Sequence, residues 1–355
     1  MPNISSKTKF IFIAAALIIV VIITASVLNK QESKPEITQN LSGLAQNIFK
    51  NNPSSKFSRY NLTTDTSKSL IDLQQVLSGG PGKDGIPSID SPKFVSVSEA
   101  GEFVKDEFLG IFLELDGEQR FYPNNILVWH EIVNDKIGDN QIAITFCPLC
   151  GSAIVFDRNV EGKTLEFGVS GLLYQSNLLM FDRKTESLWS QIEGRAVIGE
   201  LTGTDLKIID SQLISFLDIK TKFPRAKVLS TNTGANRNYN RYPYGDYEMQ
   251  NDEFYFPVAY KGQDINIQSK TIMYASTINK TPVAFAFLNL KDTGRAKIKV
   301  EGLEITAEFK EGQVSITDES GNTYPGYFTM WFSWANHNLS AGVNKEQNGV
   351  FWIKD

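Results

Sequence analysis

The hydrophobic pattern changes period along this chain. Residues 10–28 are apolar and uncharged, interrupted only by Thr24 and Ser26, with Lys7 and Lys9 just ahead of them. As a helix, such a run crosses a hydrocarbon core of about 30 Å. The lysines on the short side predict an N-terminus inside the cell (residues 1–9), with the rest of the chain held outside the cytoplasm at the cell membrane. Ile23-Thr-Ala25 is a weak cleavage site, so the run reads as an uncleaved transmembrane anchor rather than a signal peptide. Residues 29–76 are polar and predict a tether. Within it, Leu70, Leu73, Val76 and Leu77 share one face of an expected helix, capped by Ser69 and stopped at Gly79-Gly80-Pro81-Gly82.

Beyond that point the period shortens to two. Residues 108–122 read as strand, turn, strand, and Asp116-Gly117 between apolar runs is a strong hairpin cue. A short helix is expected over residues 126–133 with Asn125 as its cap, placing His130 and Asn134 on one face. Strands follow at residues 144–156 around a turn, then at 163–169 and 178–182. A helix capped by Asp210 or Ser211 should reach Lys222 before Pro224 stops it. Residues 232–247, rich in Asn, Arg, Tyr and Gly, read as a surface loop. Strands are expected again at residues 272–278, 283–289, 303–309 and 314–317, before an aromatic segment at 326–335. The fold class is therefore α+β, mostly β: antiparallel strands and hairpins with a few short helices, preceded by one transmembrane helix, and a single domain over residues 77–355. Residues 108–125 and 271–288 echo one another. Hairpins look alike by default, so the echo alone does not establish a duplication.

Composition narrows the partners. With 41% hydrophobic residues and 23 Phe, 12 Tyr and 5 Trp, a large core is within reach. The balance is 35 basic against 40 acidic side chains with no cationic block, which argues against nucleic acid as a partner. The membrane is the expected partner, through the N-terminal helix.

Several short stretches occur in a characteristic order. They are Asp84-Gly-Ile-Pro87, Phe121-Tyr-Pro123, His130-Glu-Ile-Val-Asn-Asp135, Phe146-Cys-Pro-Leu-Cys-Gly151 and Phe156-Asp-Arg158. Phe167-Gly-Val-Ser-Gly-Leu172 and Met180-Phe-Asp-Arg-Lys-Thr-Glu-Ser-Leu-Trp-Ser-Gln191 follow. From about Leu77 onward the chain resembles a bacterial and archaeal family, domain of unknown function 3179. Its members are typically exported or membrane-anchored. The resemblance implies no particular activity.

Candidate chemistry centres on Cys147-Pro-Leu-Cys150-Gly, which holds both cysteines of the chain. Such a turn resembles a zinc-ribbon knuckle and supplies two ligands. Only two histidines exist, so a zinc or copper site would draw on Cys147, Cys150, His130 and His337. The same pair suits thiol–disulfide exchange, though the strand expected after it offers no helix N-terminus to lower a thiol pKa. A structural disulfide in a non-catalytic binding module is the third reading, with Tyr239, Tyr242, Tyr244 and Tyr247 as partner contacts. A possible pocket gathers Asp157, Arg158, Ser170, Tyr174, Asp182, Arg183, Glu186, Trp189 and Gln191, where arginine would orient an anion. Ser170-Gly171 lacks nucleophile-turn spacing. His130 with Glu131 and Asp135 matches a general-base arrangement.

Overall fold

The computed structural model describes residues 57–260, 267–338, 343–347 and 350–353, the last two stretches through their backbone alone. A nine-stranded antiparallel sheet forms its centre. The path runs Val343–Gln347, Val350–Ile353, Thr281–Ala286, Ile272–Ile278, Gly326–Met330, Ser152–Asp157, Asn140–Cys147 and Ile132–Ile137, with Ile208–Ile209 added beside Ser152–Asp157. Asn140–Cys147 is buried on both faces from Ile142 onward. Ile142, Ile144 and Phe146 point into one hydrophobic core, while Ala143 and Cys147 point into another. Alternate side chains on a pleated strand face opposite ways, so one strand feeds two cores.

A five-stranded sheet covers the cysteine side: Val76–Ser78, Phe167–Tyr174, Asn177–Asp182, Leu188–Ser190 and Arg195–Ile198. A second five-stranded sheet (Gln212–Ser215, Leu109–Leu115, Glu118–Pro123, Lys227–Leu229 and Phe94–Ser96) and the meander Arg295–Val300, Leu303–Lys310 and Gln313–Asp318 complete the β architecture, with a two-stranded pair at Asn159–Val160 and Lys163–Thr164.

The sequence echo opens a structural repeat. Leu109–Leu115 and Glu118–Pro123 form a hairpin, a short helix Asn124–Leu127 follows, and Ile132–Ile137, Asn140–Cys147 and Ser152–Asp157 form a meander. Ile272–Ile278 and Thr281–Ala286, the helix Phe287–Thr293 and the later meander repeat that order. Strand lengths are 7, 6, 6, 8 and 6 residues in both copies. Both hairpins turn through two residues of positive φ: Asp116 and Gly117 at 52° and 76°, Asn279 and Lys280 at 49° and 75°. These left-handed pairs match the twist of the flanking strands. In each copy a further strand joins the hairpin and runs straight into a helix, Gln212–Ser215 into Phe216–Lys222 and Gly326–Met330 into Trp331–Asn338.

Several expectations are corrected. The mostly-β character stands, but no described helix is long and apolar enough to cross a membrane, and the expected span at residues 10–28 lies outside the described residues. So do residues 1–9 and the expected location they imply. The folded part begins before Leu77: Phe57 and Leu62 are buried in a cluster with Val76 and Leu172, so the described end of the expected tether is packed. The helix expected at residues 70–77 is a three-residue 3-10 turn, Leu73–Gln75, and a strand. Ser69 spends its hydroxyl on the Ile71 backbone, and the edge of a sheet claims Val76 through Tyr174. Tertiary pairing overrides local helical periodicity. The helix expected at residues 126–133 ends at Leu127; Asn134 lies in a strand, where its side chain bonds Phe167 through both N–H and carbonyl. The later helix starts at Phe216, capped by Ser215, because Gln212–Ser215 is drawn into the sheet beside Leu109–Leu115.

Candidate functional site

The first meander's last turn carries both sulfurs. Cys147 closes one strand opposite Ser152, and the Cys150 amide donates to the Cys147 carbonyl at 3.1 Å, folding the knuckle tightly. Gly151 sits at φ 55°, and a Cβ there would meet the Met330 side chain at 3.1 Å. A side chain there is strained by the left-handed backbone and crowded by Met330, so glycine is favoured. The Met330 amide donates to the Cys150 carbonyl at 2.8 Å and docks the knuckle on the second repeat. Both thiols are free, Cys147 is 2% exposed and Cys150 is fully buried.

The sulfurs converge on one acceptor. The Cys150 thiol lies 3.1 Å and the Cys147 thiol 3.9 Å from the Ser176 carbonyl oxygen. Ser176 stands at the tip of the hairpin joining Phe167–Tyr174 to Asn177–Asp182, where Gln175 and Ser176 hold φ of 49° and 63°. Beneath the knuckle runs a buried polar network. Ser152 Oγ donates to Gln191 Oε1 at 2.7 Å, Gln191 Nε2 donates to Thr145 Oγ1 at 3.0 Å, and Asn177 Nδ2 donates to Gln191 Oε1 at 3.0 Å. Such a satisfied network fixes the floor of the site.

The two thiols are not equivalent. Burial pushes the Cys147 thiol well up, and its proximity to Cys150 pushes the same way. Burial also pushes Cys150 up, but hydrogen bonds from Cys147, Ser333 and Asn177 outweigh it, and this thiol falls below its ordinary value. Among the described residues the buried Ser333 hydroxyl forms no other hydrogen bond, and its effect on Cys150 is to lower the thiol. Ser333 belongs to the first turn of Trp331–Asn338, where partial positive charge gathers. The segment that follows the pair is the strand Ser152–Asp157, as expected, so the Ser333 side chain and not a following helix acts on Cys150.

A cap covers the site. The Tyr247 hydroxyl donates to the Leu149 carbonyl at 3.0 Å, and its ring packs at a tilt against Tyr255, with centroids 4.5 Å apart. The Lys270 ammonium rests 3.3 Å from the centre of the Tyr247 ring and donates to the Tyr247 carbonyl. Burial lowers this lysine to about 8. Tyr244 is raised by burial and then by Glu131 and Cys147. The expected surface loop is therefore folded inward: Tyr239 and Tyr247 are buried, and Tyr242 and Tyr244 half-buried.

The four expected metal ligands do not gather. His130 spends Nδ1 on the Pro87 carbonyl at 2.7 Å and Nε2 on the Tyr239 hydroxyl at 2.8 Å. His337 donates Nδ1 to the Ser333 carbonyl at 2.9 Å, and its Nε2 lies 4.0 Å from Glu193. Among the described residues, no group of three or more His, Cys, Asp and Glu side chains is placed to hold a metal ion. The expected pocket also dissolves into separate structural uses. Asp157 accepts from the Asn159 amide, and Arg158 bonds the carbonyls of Ile142, Leu165 and Asp135. Ser170 donates to the Leu179 carbonyl, and a Cβ on Gly171 would lie 1.8 Å from the Pro81 carbonyl oxygen, so this pair closes a packed bulge. Asp182 is saturated by Lys184, Thr185 and Trp189, Arg183 is paired with Asp84 and Glu166, and Glu186 with Lys83 and Thr63. Tyr174 packs edge-on against His337. Only Gln191 belongs to the floor of the cysteine site. Burial and then Cys147 raise the Glu131 carboxyl, but no hydrogen bond joins it to the thiol among the described residues, and Asp135 turns away to Arg120 and Tyr122. Ser176, Asn177, Ser333 and Lys270 carry no local signal, because elements distant in sequence bring them in.

Residues 83–325 match a family described as protein of unknown function (DUF3179). No curated protein and no solved structure matches the chain.

Proposed function

The chain belongs to that family, and we propose that it is a dithiol–disulfide redox protein centred on Cys147 and Cys150. The observation that carries this reading is the asymmetry of two free, buried thiols that share one carbonyl. Hydrogen bonding from Cys147, Ser333 and Asn177 draws the Cys150 thiol below its ordinary value, whereas burial holds Cys147 well above its own. One sulfur prepared to attack and one held in reserve is what exchange through a mixed disulfide requires. Oxidation by a small disulfide RSSR gives the protein disulfide and two RSH. The buried position calls for movement of the Tyr247 cap before a reactant reaches Cys150.

The test is equilibration of the purified protein in glutathione redox buffers, acid quench, alkylation and mass measurement. One two-electron transition is expected, absent in Cys147→Ser and in Cys150→Ser. Thiols that stay reduced across the whole series in the folded protein sink the proposal. Stoichiometric zinc or copper lost on the same substitutions would replace it with the metal reading.

A further inference from the structure

We propose that the Ser176 carbonyl sets the direction of exchange: by favouring the dithiol, it makes the cysteine pair an acceptor of electrons from substrate thiols. The inference rests on the dithiol reading above. Both sulfurs meet one oxygen, Cys150 at 3.1 Å and Cys147 at 3.9 Å, and Ser176 is fully buried. Among the described residues the two thiols are the only hydrogen-bond donors to that oxygen. A buried carbonyl without a donor costs free energy comparable to a lost hydrogen bond. A thiol carries an S–H and a disulfide carries none, so only the reduced pair satisfies it.

The tip that carries this oxygen is held on both sides, so it does not swing to another donor. Gln175 and Ser176 turn the hairpin at φ 49° and 63° between the paired residues Tyr174 and Asn177. On one side the Gln175 side chain is bonded to Gln75 and to the Ala259 amide. On the other, Asn177 donates to Gln191 Oε1 at 3.0 Å and accepts from the Ile192 amide at 3.1 Å. Gln191 Oε1 also accepts from Ser152 at 2.7 Å, and Ser152 pairs with Cys147. One side chain thus joins the knuckle to the hairpin that carries its acceptor. The penalty of the orphaned oxygen falls on the oxidised protein alone and raises the reduction potential of the pair. In the favoured direction a thiolate RS⁻ attacks the Cys150 sulfur. The Cys147–Cys150 bond breaks, and its electron pair leaves on Cys147, which takes a proton from solvent. A second RS⁻ attacks the sulfur of the bound R group, RSSR leaves, and the released Cys150 regains its proton from solvent. The protein disulfide and two RSH become the dithiol and RSSR; a more oxidising disulfide restores the S–S bond by the reverse steps.

The test is the midpoint of the dithiol–disulfide transition in glutathione buffers, for full-length wild type and for Gln175→Ala. That change removes both outer bonds of the tip and leaves the sulfurs and Ser176 in place. In the oxidised variant the freed carbonyl turns to water, which relieves the disulfide form. Its equilibrium constant for oxidation by glutathione disulfide should rise about tenfold, a shift of about 30 mV toward more negative potential. Gln175→Glu, which still accepts from Ala259, should stay near wild type. In reduced wild type the infrared S–H stretch should lie below that of an unbonded thiol, a readout that needs no variant to fold. An S–H stretch at the unbonded position, or a Gln175→Ala midpoint equal to that of wild type, overturns the assignment and leaves the dithiol reading standing. A wild-type chain that never forms the disulfide overturns both.

Discussion

The two copies of the repeat share one face and differ on the other. Ile142, Ile144, Phe146, Ala153 and Val155 of the first meander occupy the strand positions of Ile305, Ala307, Phe309, Val314 and Ile316 of the second, and all pack in or against one core. On the opposite face the first copy places Ala143, Thr145, Cys147, Ile154 and Phe156, every one buried. The second places Thr306, Glu308, Lys310, Ser315 and Thr317, all half-buried or exposed. A sheet covered on both sides reads as continuous apolar sequence, and one covered on a single side alternates. The turns diverge with the faces. Glu311-Gly312 closes the second meander with two residues, and Pro148-Leu-Cys-Gly151 closes the first with four. The extra residues, sealed under the inserted five-stranded sheet and the tyrosine cap, form the dithiol site. Lys310 holds the strand-end position of Cys147, so the second copy is the built-in control for the first.

The severest way to break the comparison is to give the first copy the second copy's turn. Replacing residues 148–151 with Glu-Gly removes Cys150 and the contacts to Ser176, Met330 and Tyr247. Loss of the redox transition is expected, with destabilisation of roughly 3–5 kcal/mol in urea unfolding from the buried partners left behind. Phe156→Ala should cost about 3–5 kcal/mol by the same measurement, and Thr317→Ala, its counterpart, within about 0.5 kcal/mol. Equal costs would refute the two-faced burial.

Glu131 predicts a pH effect of smaller size. Its carboxyl titrates higher in the folded chain than its ordinary value of 4.5. The folded state therefore keeps a proton that the unfolded state releases. Stability is full below the ordinary value and declines as pH rises toward the folded one. Glu131→Gln should remove this decline, with a gain on the order of 1 kcal/mol at neutral pH that is absent in acid. A gain independent of pH would refute it. The mildest change, Tyr247→Phe, deletes only the hydroxyl bond to Leu149. It should cost about 1 kcal/mol and speed alkylation of the cysteines by opening the cap; unchanged alkylation would mean that the cap does not guard the site.

What the chain reveals locally is what local forces decide. Asp116-Gly117 turns the hairpin at positive φ, and the apolar runs beside the cysteines are the paired strands Asn140–Cys147 and Ser152–Asp157. The echo at residues 108–125 and 271–288 is visible because it repeats a hairpin pattern. The chemistry of the site was hidden because its partners are remote: Tyr247 reaches Leu149 across 98 positions. The same distance explains the misplaced tyrosines. Polar residues around Tyr239 and Tyr247 read as surface until His130 holds the Tyr239 hydroxyl and Lys270 and the knuckle hold Tyr247. Scarcity alone marks His130 and His337 as ligands; both His130 nitrogens and the His337 Nδ1 turn to ordinary carbonyl and hydroxyl neighbours, and His337 Nε2 lies 4.0 Å from Glu193.

Gln175 precedes the carbonyl that receives both thiols. Its side chain donates to Gln75 at 3.0 Å and accepts from the Ala259 amide at 2.8 Å, linking the hairpin tip to an N-terminal turn and to the covering loop. A disulfide has no S–H, so oxidation deprives the Ser176 carbonyl of its donors while Gln175 keeps its outer grip. The carbonyl on which both thiols converge thus changes its partners with their oxidation state while its neighbour Gln175 stays anchored to Gln75 and Ala259, so the hairpin tip keeps its place through the redox cycle.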